Sequence, residues 1–505
     1  MSIEQFVRRG VPAILLALAA LPAAAQSFRV QCPSSTVLHP LVNSTGQAGL
    51  SDSTLPNPNI KCQEIAGGDG FATMADGQQI YLFAFGPLSG MKDLAAGLPG
   101  TQRAGDFNAT YSGPVLPSDI GTTPLGNAAA KDAGLIMNLG VLSGNQPAPL
   151  MAIDEDDEFF LTLSNVGMIM RPDLFEQHTV HFHGYPNASS YFDGVPDASV
   201  AINIAGSFTY YYTAPDAGTY FWHCHITPPE HLQMGMVGQL YVRPRQNRVA
   251  GDLTAALKAA NQQNVARTAA TTDVTGRLAD GTRCTDTLCT GETPLPAGVT
   301  SSTREAGVKY AYNDGDGSTA YDVEYPIQMM SFDPNFHYVG MTFNPENFAG
   351  MKDKYFMLNG RGYPDTVTTG AITTQAADGV ARPSQPLPTL ITLTHCTDAV
   401  SCAGVPHRAL LRISDLNVTE FHTLATIGIP MNVIGYNARL LRDNAGNNLA
   451  FLTNSITLAG GESADVMLDS KGIPAGRYFL YTTNLDHLSN DAENFGGMMT
   501  EIDVL

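Results

Sequence analysis

Short runs in which apolar residues alternate with polar ones, or continue unbroken for strand length, recur along the chain. They lie at Gln79–Phe85, Phe159–Leu163, Phe208–Tyr212, Thr219–His223, Gly238–Val242, Ala409–Ile413, Ile456–Leu458, Ala464–Leu468 and Tyr478–Thr482. Turn residues separate them, and that spacing predicts β-sandwich domains. Helical periodicity is confined to short pieces such as Asp252–Asn261. The stretch 246–307 is rich in Ala, Thr and Gly and reads as a linker between a first domain at 27–245 and a second at 308–505.

The two halves read as distant copies. The phrase ending His178-Thr-Val-His-Phe-His-Gly184 lines up with His422-Thr-Leu-Ala-Thr-Ile-Gly428, and Gly218-Thr-Tyr-Phe-Trp-His-Cys-His225 with Gly476-Arg-Tyr-Phe-Leu-Tyr-Thr-Thr483. A repeat of this length implies two domains of one fold. Ala425 and Ile427 stand where His181 and His183 do, so the chemistry is expected in the first half alone.

Length supports that division, because 505 residues are more than one hydrophobic core usually serves. A 44% hydrophobic and 15% charged composition excludes a disordered chain. The net charge of -20 argues against nucleic acid or an anionic membrane surface as partner. Residues 1–25 read as a signal peptide: Arg8 and Arg9 precede an apolar run from Val11 to Leu21, and Ala23-Ala24-Ala25 offers a cleavage site. That run is too short for a membrane span, so export to the periplasm or medium is expected, by the general or the twin-arginine route. Six of the seven cysteines fall into local pairs, Cys32 with Cys62, Cys284 with Cys289 and Cys396 with Cys402. An oxidising compartment would make these disulfides. Cys224 is left over.

Its neighbours explain it. Six of the twelve histidines lie between His178 and His231, with Cys224 among them. Side chains alternate on a strand, so His181 and His183 share one face and His178 the other; His223 and His225 share a face and Cys224 opposes them. Two metal environments follow. Cys224, His178 and His231, with Met236 as a weak axial thioether, make the ligand set of a type 1, or blue, copper centre. His181, His183, His223 and His225 make an all-imidazole face suited to further type 2/3-like copper.

His-Phe-His-Gly184, Asp193-Gly-Val-Pro196, Gly218-Thr-Tyr-Phe-Trp-His-Cys-His-Ile226 and His231-Leu-Gln-Met-Gly-Met236 together resemble the multicopper oxidase family of cupredoxin proteins. Tyr321-Asp-Val-Glu-Tyr-Pro326, Leu358-Asn-Gly-Arg-Gly-Tyr-Pro-Asp365 and Leu458-Ala-Gly-Gly-Glu-Ser-Ala-Asp-Val466 are similar to its second domain. The resemblance implies an all-β chain of two cupredoxin-like Greek-key β-sandwiches. It also implies an oxidoreductase that takes single electrons at the blue copper and passes them to the histidine face, with dioxygen as acceptor. The reductant is expected to be a small molecule, a metal ion or a small redox protein such as a cytochrome. Related two-domain copper enzymes imply a homotrimer.

Two departures qualify this. Thr227-Pro228-Pro229-Glu230 makes the interval after Cys224 longer than in multicopper oxidases and shorter than in copper nitrite reductases. A full trinuclear cluster needs twice the four histidines of the face, and the second half has no His-x-His pair. His422 and His487 are its candidates to complete a site with a neighbouring chain. Two alternatives stand beside the oxidase: a blue-copper electron-transfer or copper-binding protein, and a copper nitrite reductase. The second fits less well, because that family has aspartate where His181 stands and histidines where Ile427 and Thr483 stand.

Overall fold

The computed structural model describes residues 28–48, 50–109, 133–185, 189–214, 216–248, 251–252, 303–304, 307–342, 344–443 and 445–505. The expected signal peptide, the Cys284–Cys289 pair, most of the expected linker and all of the expected Asp252–Asn261 helix but its first residue lie outside them; Asp252 itself stands in a two-residue strand, Gly251–Asp252. Among the described residues, Cys32–Cys62 and Cys396–Cys402 are disulfides and Cys224 is free.

Among the described residues, the first half contains nine strands: β1 (Ile60–Thr73), β2 (Gln79–Pro87), β3 (Gln102–Arg103), β4 (Met151–Asp154), β5 (Glu158–Gly167), β6 (His181–Phe182), β7 (Ser207–Thr213), β8 (Gly218–His223) and β9 (Val237–Arg243). One sheet runs β2-β1-β5-β7, with β3 beside β1, and the other runs β4-β9-β8-β6. Their inner faces share one core, in which Ile65, Phe83 and Leu163 of the first sheet meet Ile153, Trp222 and Leu240 of the second.

The second half repeats the plan. Val323–Phe332 pairs in parallel with Arg408–Asp415 as β1 does with β5. Ile391–Leu393 pairs in parallel with Met499–Val504 as β4 does with β9. The fold is all-β, and the expected strands all fall within observed ones. Two long strands, β1 and Val323–Phe332, were not among them.

The halves pack through the outer face of the β8–β9 sheet, which is why β8 is buried on both sides. Thr219 Oγ1 donates to Asp465 at 2.6 Å, and Gln239 Nε2 donates to the Arg412 carbonyl at 2.9 Å. Gly218 allows the closest approach, since a Cβ there would sit 2.5 Å from Ala438 Cα. Glu324 bridges Arg243 at 3.1 Å and Arg412 at 2.9 Å, and the Arg412 guanidinium lies 4.6 Å from the centre of the Tyr241 ring. Both charges of the buried Arg412–Glu324 pair are thereby partnered, as burial requires.

Candidate metal centre

β6 and β8 position the chemistry. His181 stands opposite His223, and Phe182 opposite Trp222, in antiparallel register. Alternation sends Phe182, Trp222 and Cys224 into the core, while His181, His183 and His223 lie on the outer face. His178 enters from the segment before β6, tied to Ile202 by a backbone bridge, and is buried beside Cys224.

Cys224 Sγ lies 3.3 Å from His231 Nδ1 and 4.0 Å from His178 Nδ1, and one donor atom from each of the three falls within 4.8 Å of the others. A short helix, Pro228–Gln233, delivers His231; Pro228, Pro229 and Glu230, the residues that lengthen the loop, form its start. The chain then turns at Gly235 and returns. Met236 N–H donates to the His231 carbonyl at 2.8 Å, and its carbonyl accepts from Cys224 N–H at 3.1 Å, so Met236 is held between them and buried. Gly67 makes room for His178, whose Cδ2 would lie 2.8 Å from a Cβ there.

Burial pushes the Cys224 thiol up, but the charge on His231 and hydrogen bonds with His178 and His231 outweigh it and hold it well below its ordinary value. Burial alone would lower His231; the Cys224 charge, its hydrogen bond and Glu176 raise it to about 10. Burial lowers His178. A thiolate flanked by two imidazoles is a soft donor set that suits copper in both oxidation states, so these residues fit a type 1 copper.

The second cluster is all imidazole. Donor atoms of His181, His183 and His223 lie within 4.8 Å of one another, with His183 Nε2 3.0 Å from His223 Nε2. The His225 ring is centred 5.0 Å from that of His181 and 5.5 Å from that of His223, a fourth member just outside the tight group. His181 Nδ1 is 2.7 Å from the Asp193 carbonyl and His223 Nδ1 is 2.6 Å from the Cys224 carbonyl. Carbonyls only accept, so both rings donate through Nδ1 and turn a free Nε2 lone pair to the cluster. Burial lowers His183 to about 4 and His223 well below its ordinary value, which keeps both neutral and able to ligate.

A cleft of 710 Å³ reaches His183 of the imidazole cluster and the helix that carries His231, lined by His183 and Phe221 on one side, Pro228 and Leu232 from that helix, and Asn417 and Phe421 from the second half. The second half contributes backbone here: a Cβ on Gly461 would lie 2.6 Å from His183 Nδ1. Ala425 stands opposite Tyr481 where the first half pairs His181 with His223. His422 and His487, expected as ligands for a neighbouring chain, are instead buried inside the second half, with ring centres 5.6 Å apart. His422 opens the strand His422–Thr426 and His487 ends the short helix Leu485–His487, and both side chains are buried within the second half.

Sequence reading missed three supporting groups. Thr179 N–H donates to Cys224 Sγ at 3.4 Å and its Oγ1 accepts from His225 N–H at 2.9 Å. The Asp193 carbonyl orients His181, and the Glu176 carboxylate lies 3.7 Å from His231 Nε2. Only Asp193 carried a signal, through its place in the Asp-Gly-Val-Pro phrase.

Comparison with known proteins fits this geometry. The family model for multicopper oxidase matches residues 129–247, which hold every residue of both clusters. The chain is similar to the multicopper oxidase MCE of Talaromyces pinophilus, 31% identical over 116 residues, covering 23% of this chain and 18% of that protein. It is similar to the laccase abr2 of Aspergillus fumigatus, 30% identical over 117 residues, with 23% and 18% covered. The matched segment thus spans about a fifth of those curated relatives. Among solved structures, the blue copper oxidase from Nitrosomonas europaea aligns with 88% of this chain and 85% of that one, at 17% identity and a TM-score of 0.49.

Proposed function

We infer, from the match of residues 129–247 to the multicopper oxidase family model, that the chain is an exported copper oxidoreductase of that family that moves single electrons from a reductant to dioxygen. One observation carries this reading. Cys224 belongs to one donor cluster, its neighbours His223 and His225 belong to the other, and the His223 ring folds back onto the Cys224 carbonyl at 2.6 Å. Copper bound at the two clusters supplies the one-electron chemistry.

The protein's own residues have separate tasks. Cys224 and its peptide link the two clusters by covalent bonds. Thr179 holds both sides of that link, bonding the sulfur of Cys224 and the amide of His225. Asp193 keeps His181 in the tautomer that ligates. Pro228 and Leu232 present the His231 helix to the cleft, where a small reductant can approach. The charge of -20 steers cationic donors, a basic cytochrome or a metal ion, toward the surface.

The alternative, a blue-copper electron carrier, needs the Cys224 cluster alone and leaves the second unexplained. Copper retention separates the two. The full chain is compared with His181→Ala/His223→Ala after loading and gel filtration. The oxidase reading predicts that the variant keeps its blue band and loses at least one copper; equal copper in both would leave an electron carrier. The homotrimer expected by analogy is read from the molar mass in solution by light scattering.

A further inference from the structure

His231 reaches the Cys224 site on a helix of six residues, Pro228–Gln233, well below the roughly 12–15 at which a helix begins to hold by itself in water. Thr227 before it has a left-handed backbone, φ 37°, and makes no side-chain cap. The other two ligands are better anchored: Cys224 follows directly on β8, and His178 is bridged to Ile202 by two backbone hydrogen bonds. Where His231 stands therefore depends on what its helix packs against.

The second half provides that support. Gln233, the last helical residue, is buried, and both ends of its amide are bonded there. Its Nε2 donates to Asp353 Oδ1 at 2.7 Å, and its Oε1 accepts from Asp333 N–H at 3.3 Å. Asp353 is itself fixed, because its Oδ2 accepts from the Ser331 hydroxyl at 2.6 Å and from the Thr419 hydroxyl. The Asp333 carboxylate caps the helix Pro334–Gly340 and accepts from Lys352 N–H at 2.8 Å. That bond closes the segment into a loop whose two ends, Asp333 and Asp353, both hold Gln233. The loop also grips the first half on either side of the helix. His337 Nδ1 donates to the Tyr81 carbonyl at 2.5 Å, and Arg171 Nη1 donates to the Gly340 carbonyl at 2.6 Å. A Cβ on Gly340 would lie 2.9 Å from Met234 Cε. Tyr81 in turn packs on Phe83, whose ring meets that of His231 edge-on at 5.9 Å.

We propose that Asp353 is a positioning residue for the Cys224 site: acting through Gln233, it holds the His231 helix in place and so sets the geometry that the three ligands offer a metal. The inference rests on the type 1 reading of Cys224, His178 and His231, and does not depend on what the histidine face reduces. Divalent copper prefers a tetragonal arrangement, which a fixed His231 withholds. Releasing the helix should therefore stabilise the oxidised state and lower the reduction potential.

The test compares the full chain with Asp353→Ala, Asp353→Asn and Gln233→Met. Asparagine keeps an acceptor for Gln233, and the Ser331 and Thr419 hydroxyls can turn to accept from its amide. Methionine keeps the length and helix propensity of Gln233 without its hydrogen bonds. After copper loading, Asp353→Ala and Gln233→Met should each lower the potential by at least ~59 mV, a tenfold shift of a one-electron equilibrium, and alter the blue band. Asp353→Asn should stay near the native values. The double variant should fall no lower than either single one, since one residue acts through the other. A native potential in Asp353→Ala, or shifts that add in the double variant, overturns the proposal. Amide hydrogen exchange reads the same hold without copper: Asp353→Ala should speed exchange at His231 and Met234 at least about tenfold and leave Tyr220 in β8 unchanged. Unchanged exchange at His231 overturns the proposal. Faster exchange in a protein whose native form never turns blue supports the hold on the helix and contradicts the type 1 reading instead.

Discussion

His223 and Cys224 are consecutive residues on opposite sides of one sheet, and the ring of His223 returns to the Cys224 carbonyl at 2.6 Å. Strand alternation alone forces them apart, one into the core and one onto the face that meets the second half. A single peptide therefore joins two sites of different chemistry, and each side can be perturbed separately.

On the sulfur side, Cys224→Ser should remove the intense thiolate-to-copper absorption. Met236→Leu should keep the colour and raise the reduction potential, since the axial ligand tunes it. Visible spectroscopy with redox titration reads both, and a native spectrum in Cys224→Ser would sink the type 1 assignment.

Gly67 gives a test of packing. A methyl group there meets the His178 ring at 2.8 Å and Leu163 at 3.2 Å, and both neighbours are fixed in the core. Gly67→Ala should cost about 1–3 kcal/mol on denaturant unfolding and shift the blue band, because the ring must move. A band at the native wavelength with native stability would show that His178 has slack.

Glu324 joins the halves. Burial pushes its carboxyl up, and Arg412 and Arg243 outweigh burial and hold it at about 2. The folded value lies below the unfolded one, so this stabilisation is complete above about pH 4.5 and is lost as pH falls toward about 2. Glu324→Gln should cost about 3 kcal/mol at neutral pH, because Arg412 stays buried with Asp465 3.6 Å away as its remaining carboxylate. That penalty should shrink in acid. A cost that does not change with pH would assign it to packing.

Glu64 behaves in the opposite sense. Burial raises it to about 8 against the hydrogen bond from Ser164. The folded chain then holds a proton that the unfolded chain has released between about pH 4.5 and 8, so stability falls as pH rises through that window. Glu64→Gln keeps an acceptor for Ser164 and removes the titration. Its stability relative to the native chain should grow by about 1 kcal/mol or more from pH 5 to pH 8. Parallel pH profiles would show that Glu64 stays ionised.

The strands that were legible in the sequence are those whose apolar residues run on or alternate, such as β8 with Tyr220, Phe221 and Trp222. β1 was not, because Gly67, Gly68 and Gly70 interrupt it and Gln63, Glu64 and Asp69 put polar groups where both faces are buried. Parity separated the two donor sets correctly, since the register of β6 against β8 preserves it. The backbone counterpart of the Cys224 loop in the second half, where Thr482 N–H donates to Met498 at 2.9 Å and Met498 N–H to His487 at 3.0 Å, stayed hidden for a different reason. Met236 follows His231 through the end of one short helix, whereas Met498 follows His487 after a longer loop, so spacing conceals an equivalence that backbone hydrogen bonding reveals. Nor could spacing show that His422 and His487 turn inward, which depends on Asp415 and Phe356 from distant strands.

The central claim is that electrons arriving at the Cys224 cluster leave through the histidine face. Stopped-flow reoxidation tests it most directly: the copper-loaded chain is reduced without oxygen, bleaching the blue band, and then mixed with aerated buffer. The native chain should recover its colour promptly with matching loss of dioxygen, and His181→Ala/His225→Ala should load the same blue centre yet stay bleached. Recovery of the double variant at the native rate would contradict the account, making the histidine face structural and the protein an electron carrier.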